Sequence, residues 1–271
     1  MSDRYQAQLE SLVESIIEGS KYRTVSVELI RNIGLRELTV RRNFKEAVKA
    51  TKNKLHQIAG AYLDSRPQYA TWIAELTAAT NTNDEVLLRQ NCLAMMRHHA
   101  STRERVRIVD TFYTTIFAGL PPIRSVLDLG CGLNPLALPW MRLDQGVTYY
   151  ACDIYSDMMS FLNTFFQLID VTGDAQVCDL VTAPSSQKAD VALVFKLLPT
   201  LEQVDKQAGL QLLESLNATH MLISFPVRSL GGREKHMAEY YENRFQQLIQ
   251  AQGWQFERFE FATELVFRVR K

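Results

Sequence analysis

Three aspartates stand where apolar runs end: Asp128, Asp153 and Asp179. Two glycines, Gly130 and Gly132, follow the first of them in "SVLDLGCGLNPLALPW". A glycine turn after a buried strand lets the backbone approach a ligand and offers amide donors at a helix start. Asp153 comes 21 residues after Gly132, a spacing that suits a carboxylate accepting both hydroxyls of an adenosine ribose. Asp179 ends a third run, where a carboxylate can accept from an adenine amino group. Phe195 ends a fourth and can pack on the adenine face. One such aspartate alone reads as an ordinary turn residue. Three at successive strand ends, the first in a glycine turn, read as an adenosine pocket.

The dinucleotide fingerprint G-x-G-x-x-G is not completed, because Pro135 holds the third glycine position. A P-loop lysine is absent too. The pocket therefore has no cradle for a pyrophosphate, which disfavours an NAD-dependent dehydrogenase. A positively charged adenosyl sulfonium carrying an amino acid fits better, with Asp128 near its ammonium. The expected cofactor is S-adenosyl-L-methionine. A small-molecule or tRNA methyltransferase and a non-catalytic rRNA-binding factor with a relict pocket are the other readings of these residues. Cys92, Cys131, Cys152 and Cys178 form no C-x-x-C pair, and the five histidines make no ligand pattern with them. They read as small buried residues, and no metal site is expected.

The elements that must position these residues change character along the chain. The first third reads helical. Leu9, Leu12, Val13, Ile16 and Ile17 form one stripe that Gly19 ends, and "NFKEAVKATKNKLHQIAGAY" turns Phe44, Val48, Leu55 and Ile58 inward. "QYATWIAELTAAT", "DEVLLRQNCLAMMRHH" and "TRERVRIVDTFYTTIFAGLPP" continue the pattern. After Pro122 the rhythm becomes strand, helix, strand. "SVLDLG", "TYYACDI", "AQVCDL", "ADVALVFK" and "HMLISFP" read as parallel strands. The fourth is apolar without alternation, as a strand covered on both faces should be. "GWQFERFEFATELVFRVR" reads as an antiparallel hairpin. The expected fold is α/β: a seven-stranded doubly wound Rossmann-like sheet (105–271) behind an all-helical domain (1–104).

The chain of 271 residues has 46% hydrophobic and 22% charged residues, an ordinary globular composition. No apolar run approaches the roughly 18 residues of a membrane helix. Acids among the apolar residues of the N-terminus exclude a signal or transit peptide, so a cytoplasmic protein is expected. A formal net charge of zero hides an asymmetry. Between Lys21 and Arg66 there are 11 Lys/Arg against 4 acids, whereas from Val106 onward there are 14 against 18. A basic helical segment on a mildly acidic domain points to an anionic partner met by one end.

"HHASTRER", "LDLGCGLNPLA", "FKLLPTLE" and "SFPVRSLGGR" together resemble the aminoglycoside-resistance 16S rRNA (guanine-N7) methyltransferases. "KLHQIAGAY" and "TELVF" fit the same family, and the likeness runs from about Lys21 to the C-terminus. The LDLGCG turn occurs in very many methyltransferases; the combination is specific. The resemblance implies methylation of one guanine N7 in the decoding site of 16S rRNA within the 30S subunit. A monomer is expected. By the same resemblance His99, Ala100, Ser101 and Arg105 close over the methionine end of the cofactor. Gly130, Asp153, Asp179, Leu180, Phe195 and Gln207 match its other cofactor contacts. No general base is required, since guanine N7 carries a lone pair and no proton. Lys196, Arg228 and Arg233 are placed on loops facing RNA, and Lys52 and Lys54 on the docking helices. One departure is Tyr240-Tyr241, where the family usually has Asn-Tyr after the SLGGR loop.

Overall fold

The structure, a computed structural model, describes residues 3–18, 22–60, 62–63, 67–182, 185–227 and 237–271. Among the described residues seven helices come first: α1 (Asp3–Ile17), α2 (Val27–Val40), α3 (Phe44–Leu55), α4 (Tyr69–Asn81), α5 (Glu85–Met96), α6 (Ala100–Arg105) and α7 (Val109–Phe117). A π turn, His56–Gly60, extends α3. Short polar side chains start several of these helices by satisfying their free amides. The Leu29 amide donates to Ser26, Glu46 to Asn43 and Leu87 to Asp84.

The sequence pattern does not single out α2. Its buried positions are Leu29, Ile30, Ile33, Gly34 and Glu37, so the inward stripe contains a glycine and a glutamate. The glycine is a close approach: a Cβ there would lie 2.6 Å from Leu12 Cδ2 of α1. "TRERVRIVDTFYTTIFAGLPP" is two helices rather than one. The turn between α6 and α7 lets Arg105 and the stripe Val109, Phe112, Tyr113 and Ile116 all enter the core.

The remainder is β1 (Ser125–Leu129), α8 (Leu138–Met141), β2 (Thr148–Asp153), α9 (Ser156–Leu168), β3 (Thr172–Val177), β4 (Ala189–Phe195), α10 (Leu198–Val204), α11 (Ala208–Ser215), β5 (Ala218–Pro226), α12 (Met237–Ile249), β6 (Gln255–Glu260) and β7 (Glu264–Arg270). The sheet order is β3-β2-β1-β4-β5-β7-β6. The first five strands pair in parallel, and β7 pairs antiparallel with both β5 and β6. This is the expected doubly wound sheet with its terminal hairpin. The third strand begins earlier than the sequence pattern places it, so Cys178 and Asp179 lie just beyond its end. The run after the glycines is a 3-10 turn, Asn134–Ala137, and the four-residue α8, each with a proline near its start. Neither makes a long helix.

Alternate strand residues pack into opposite layers, as the two-residue strand period requires. Val126, Val191 and Leu193 face α7, α9 and the N-terminal helices. Leu127, Ala192 and Val194 face the layer of α10, α11 and α12. The first layer does not break at the expected boundary between residues 104 and 105. Leu12, Ile30, Trp72 and Met95 share one buried cluster with Phe112, Tyr149 and Phe161. Tyr69 and Trp72 of α4 pack on the ring of Phe161 in α9, with centroids 4.9 and 5.6 Å away.

Candidate cofactor and RNA site

At the C-terminal ends of the parallel strands lies a cavity whose floor carries Gly130, Asp153, Asp179 and Phe195. This is the crevice where ligands of open α/β sheets bind. Gly130 and Gly132 adopt φ of +60° and +51°, a region that favours glycine. Their missing side chains also matter. A Cβ on Gly130 would sit 2.7 Å from Leu197, and one on Gly132 would sit 2.7 Å from the His99 ring.

Asp153 is held from behind, its Oδ2 accepting from the Gly132 amide at 2.8 Å and its Oδ1 from the Ile154 amide at 2.7 Å. Each oxygen keeps a second acceptor position, so the carboxylate can still take two hydroxyl donors. Burial raises its pKa, against the two amide bonds. Asp179 accepts from the Val181 amide, the Thr182 hydroxyl and the Asn32 amide.

His99 is buried, stacked on Tyr62 with the ring centroids 5.8 Å apart, and its Nδ1 is 2.9 Å from Ser101 Oγ. Burial, and then the positive charges of Lys196, Arg105 and Arg103, push its pKa down to about 3. The ring is therefore held neutral where it lines the cavity.

His99, Ser101, Gly130, Asp153, Asp179, Leu180 and Phe195 all line the cavity, as does Lys196. Ala100, Arg105, Asp128 and Gln207 are not on its wall. Gln207 is exposed at the start of α11. Ala100 and Asp128 are buried behind the wall.

Arg105 is 1% exposed and belongs to a buried ionic network. Its Nε and Nη2 donate to the two oxygens of Glu264 at 3.1 and 2.6 Å, and its Nη1 donates to Asn134 Oδ1 at 2.6 Å. The guanidinium lies 4.4 Å from the Phe195 ring centroid. Asn134 passes the restraint on: its Nδ2 donates to Asp128 Oδ2 at 2.8 Å, beside the Tyr149 hydroxyl at 2.7 Å. Arg105 thus braces the aromatic wall and the glycine turn from behind.

Lys196 also faces inward. It is buried, its φ is +56°, and its ammonium sits 2.6 Å from Glu104 and 3.4 Å from Glu264 while donating to the Ser101 carbonyl. This does not match an RNA-facing cation on the surface. Glu264 collects Arg105, Lys196 and the Ser224 hydroxyl. Burial drives its carboxyl up, but those two cations outweigh burial and hold it below its ordinary range.

The roof was not legible in the sequence. Leu29 of α2, Ile58 of the π turn and Tyr62 line the cavity from above, and the Tyr62 hydroxyl shares a 2.6 Å hydrogen bond with Thr200 of α10. Lys54 of α3 donates to the Gln203 carbonyl in α10. It therefore ties the helical layer to the cavity wall, whereas Lys45 and Lys49 are exposed on the same helix. Arg228 and Arg233 lie outside the described residues.

The donor set fits an adenosyl cofactor with a cationic amino-acid tail. Two carboxylates with acceptor capacity line the cavity, and the glycine cradle is one that any Cβ would fill. Asp128 Oδ1 is a buried oxygen with no hydrogen-bond partner among the described residues.

Comparison with known proteins agrees with this geometry. The family model described as "Ribosomal RNA methyltransferase (FmrO)" matches residues 18–268. A 16S rRNA (guanine(1405)-N(7))-methyltransferase of Frankia casuarinae is 40% identical over 261 residues, covering 95% of this chain and 92% of the relative. One of the same description from Serratia marcescens is 34% identical, covering 97% and 98%. Among solved structures, the 16S rRNA methyltransferase RmtF in complex with S-adenosyl-L-homocysteine superposes with a TM-score of 0.81 at 32% identity, covering 100% of this chain and 99% of that one. The 16S rRNA methylase RmtB gives 0.79 at 30%, covering 97% and 98%. The chain belongs to the FmrO family of ribosomal RNA methyltransferases.

Proposed function

We propose that this enzyme transfers a methyl group from S-adenosylmethionine to N7 of one guanine in the decoding site of 16S rRNA, within the assembled 30S subunit. Methylation there blocks aminoglycosides that need that base edge. The observation that carries the reading is the cavity at the strand ends, with Asp153 and Asp179 on its floor and the neutral His99 ring on its wall.

When bound, S-adenosylmethionine supplies an electrophilic methyl on a sulfonium. The protein's own residues hold and enclose. Asp153 accepts the ribose hydroxyls, Asp179 accepts from the adenine amine, and Phe195 covers the adenine face. Asp128, behind the glycine turn, supplies negative charge for the ammonium end. His99, stacked on Tyr62, closes that end against water. Guanine N7 has a lone pair and no proton, so it needs alignment and not deprotonation. Lys196 is neutralised by Glu104 and Glu264, so it shapes the entrance without adding an unpaired cation.

The basic face of the helical layer suits a rigid, folded phosphate surface, read by shape. Naked RNA would have to be ordered on binding, at an entropic cost. We therefore place the reaction on the 30S subunit and expect a monomer to perform it.

The test is direct. Purified protein with labelled S-adenosylmethionine should methylate 30S subunits and act poorly on naked 16S rRNA. Reduction followed by aniline should cut the strand at one decoding-site guanine, because 7-methylguanosine has a labile imidazole ring. Label at an adenine or in tRNA, without that cut, would overturn the reading.

A further inference from the structure

Asp179 is restrained by a residue 147 positions away in sequence. Asn32, on α2, donates from Nδ2 to Asp179 Oδ2 at 2.9 Å and to Thr182 Oγ1 at 3.0 Å. The Thr182 hydroxyl donates to the same Oδ2 at 2.7 Å. These three side chains close a triangle. The Val181 amide donates to Oδ1 at 3.0 Å.

A carboxylate offers about four acceptor positions. On Asp179 both positions of Oδ2 are taken, and one on Oδ1 is left. The carboxylate can neither rotate nor offer Oδ2 without breaking a bond to Asn32 or Thr182. Only Oδ1 can answer a ligand, and with every neighbour a donor it answers as an acceptor. An adenine amino group satisfies that position. The carbonyl oxygen of a 6-oxopurine repels it.

We infer that Asn32 is a positioning residue that sets purine selectivity of the cofactor pocket, by locking Asp179 as a single-position acceptor. The inference rests on the adenosyl reading of the cavity. It assigns the helical layer a second role: besides presenting a basic face, α2 supplies Leu29 to the cavity wall and Asn32 to the base-reading carboxylate.

Titration calorimetry with S-adenosylhomocysteine and S-inosylhomocysteine tests this without turnover. The wild-type protein should bind the adenosyl ligand and prefer it over the inosyl one. Asn32→Ala should weaken the adenosyl ligand by about tenfold, the effect of roughly one lost charge-assisted bond, and should shrink the adenosyl-to-inosyl preference by a similar factor. A merely structural role would weaken both ligands together and leave the ratio unchanged, which would overturn the inference. Thr182→Val removes the other donor to Oδ2 and should shift the ratio in the same direction; it decides the matter should Asn32→Ala not fold. A wild-type protein that binds both equally would overturn the inference alone, and one that binds neither would overturn the adenosyl reading and the inference with it.

Discussion

Asp128 shows how burial at a single residue becomes a measurable property of the site. Its Oδ2 accepts from Asn134 and Tyr149, which favours the charged form, yet burial wins and holds the carboxyl up at about 6. The folded value lies above the ordinary 3.8. Its contribution to stability is therefore complete below that ordinary value and is lost as pH rises through about 6. A cationic ligand reverses the preference, because it favours the ionised form. Affinity for S-adenosylhomocysteine should thus rise from pH 5 to pH 7, with an inflection near 6. Asp128→Asn should flatten that profile and weaken binding at pH 7. Calorimetry across this range checks it, and a wild-type profile with no inflection would remove Asp128 from the ammonium end.

Single elements were legible in the sequence where burial writes an unbroken pattern. β4, covered on both faces, announced itself, and so did the β6–β7 hairpin. α2 did not, because its inward stripe includes Gly34 and Glu37. The floor of the cavity was legible too, because strand ends in a parallel sheet must meet at one crevice. What stayed hidden was long-range pairing. The family resemblance makes Arg105 a cofactor contact, and only the fold brings it to Glu264, 159 residues on. That pair also yields an element-scale prediction, since it joins α6 to the start of β7. Glu264 is 0% exposed, and Glu264→Ala would leave Arg105 and Lys196 buried without their shared counter-charge. Breaking such a pair costs about 3–5 kcal/mol, so urea unfolding should show a loss of that order. Glu264→Gln, which keeps one acceptor oxygen but turns the other into a donor, should lose somewhat less. The Glu264 carboxyl is held below its ordinary range, so this stability is present above about 4.5 and is lost as pH falls through the folded value. The stability gap between the wild type and Glu264→Gln should therefore be widest above about 4.5 and narrow as pH falls, because the glutamine does not titrate.

At the scale of the whole molecule, the helical layer faces two ways. Its inner side roofs the cavity through Leu29, Ile58 and Tyr62, and its outer side carries the basic residues of α3. Lys45, Lys49 and Lys52 recur at four and three residues and so share one stripe. Lys54 lies off that stripe and is spent on the Gln203 carbonyl of α10. The two sets should therefore separate in experiment. Reversing Lys45, Lys49 and Lys52 to Glu should weaken 30S binding and reduce the slope of log K against log salt. The reduction should approach about 3 if each lysine meets one phosphate, since each contact releases roughly one counterion. Affinity for S-adenosylhomocysteine should not move, because none of the three lines the cavity. Lys54→Glu should behave differently. It cuts the tie between α3 and the helix that carries Thr200, Leu201 and Val204 to the cavity, so cofactor affinity should fall while the salt slope of 30S binding barely changes. Filter binding over a salt series, paired with calorimetry on the same variants, reads both quantities. If the triple reversal leaves the salt slope at its wild-type value, the stripe on α3 is a solvated surface and the 30S subunit docks elsewhere.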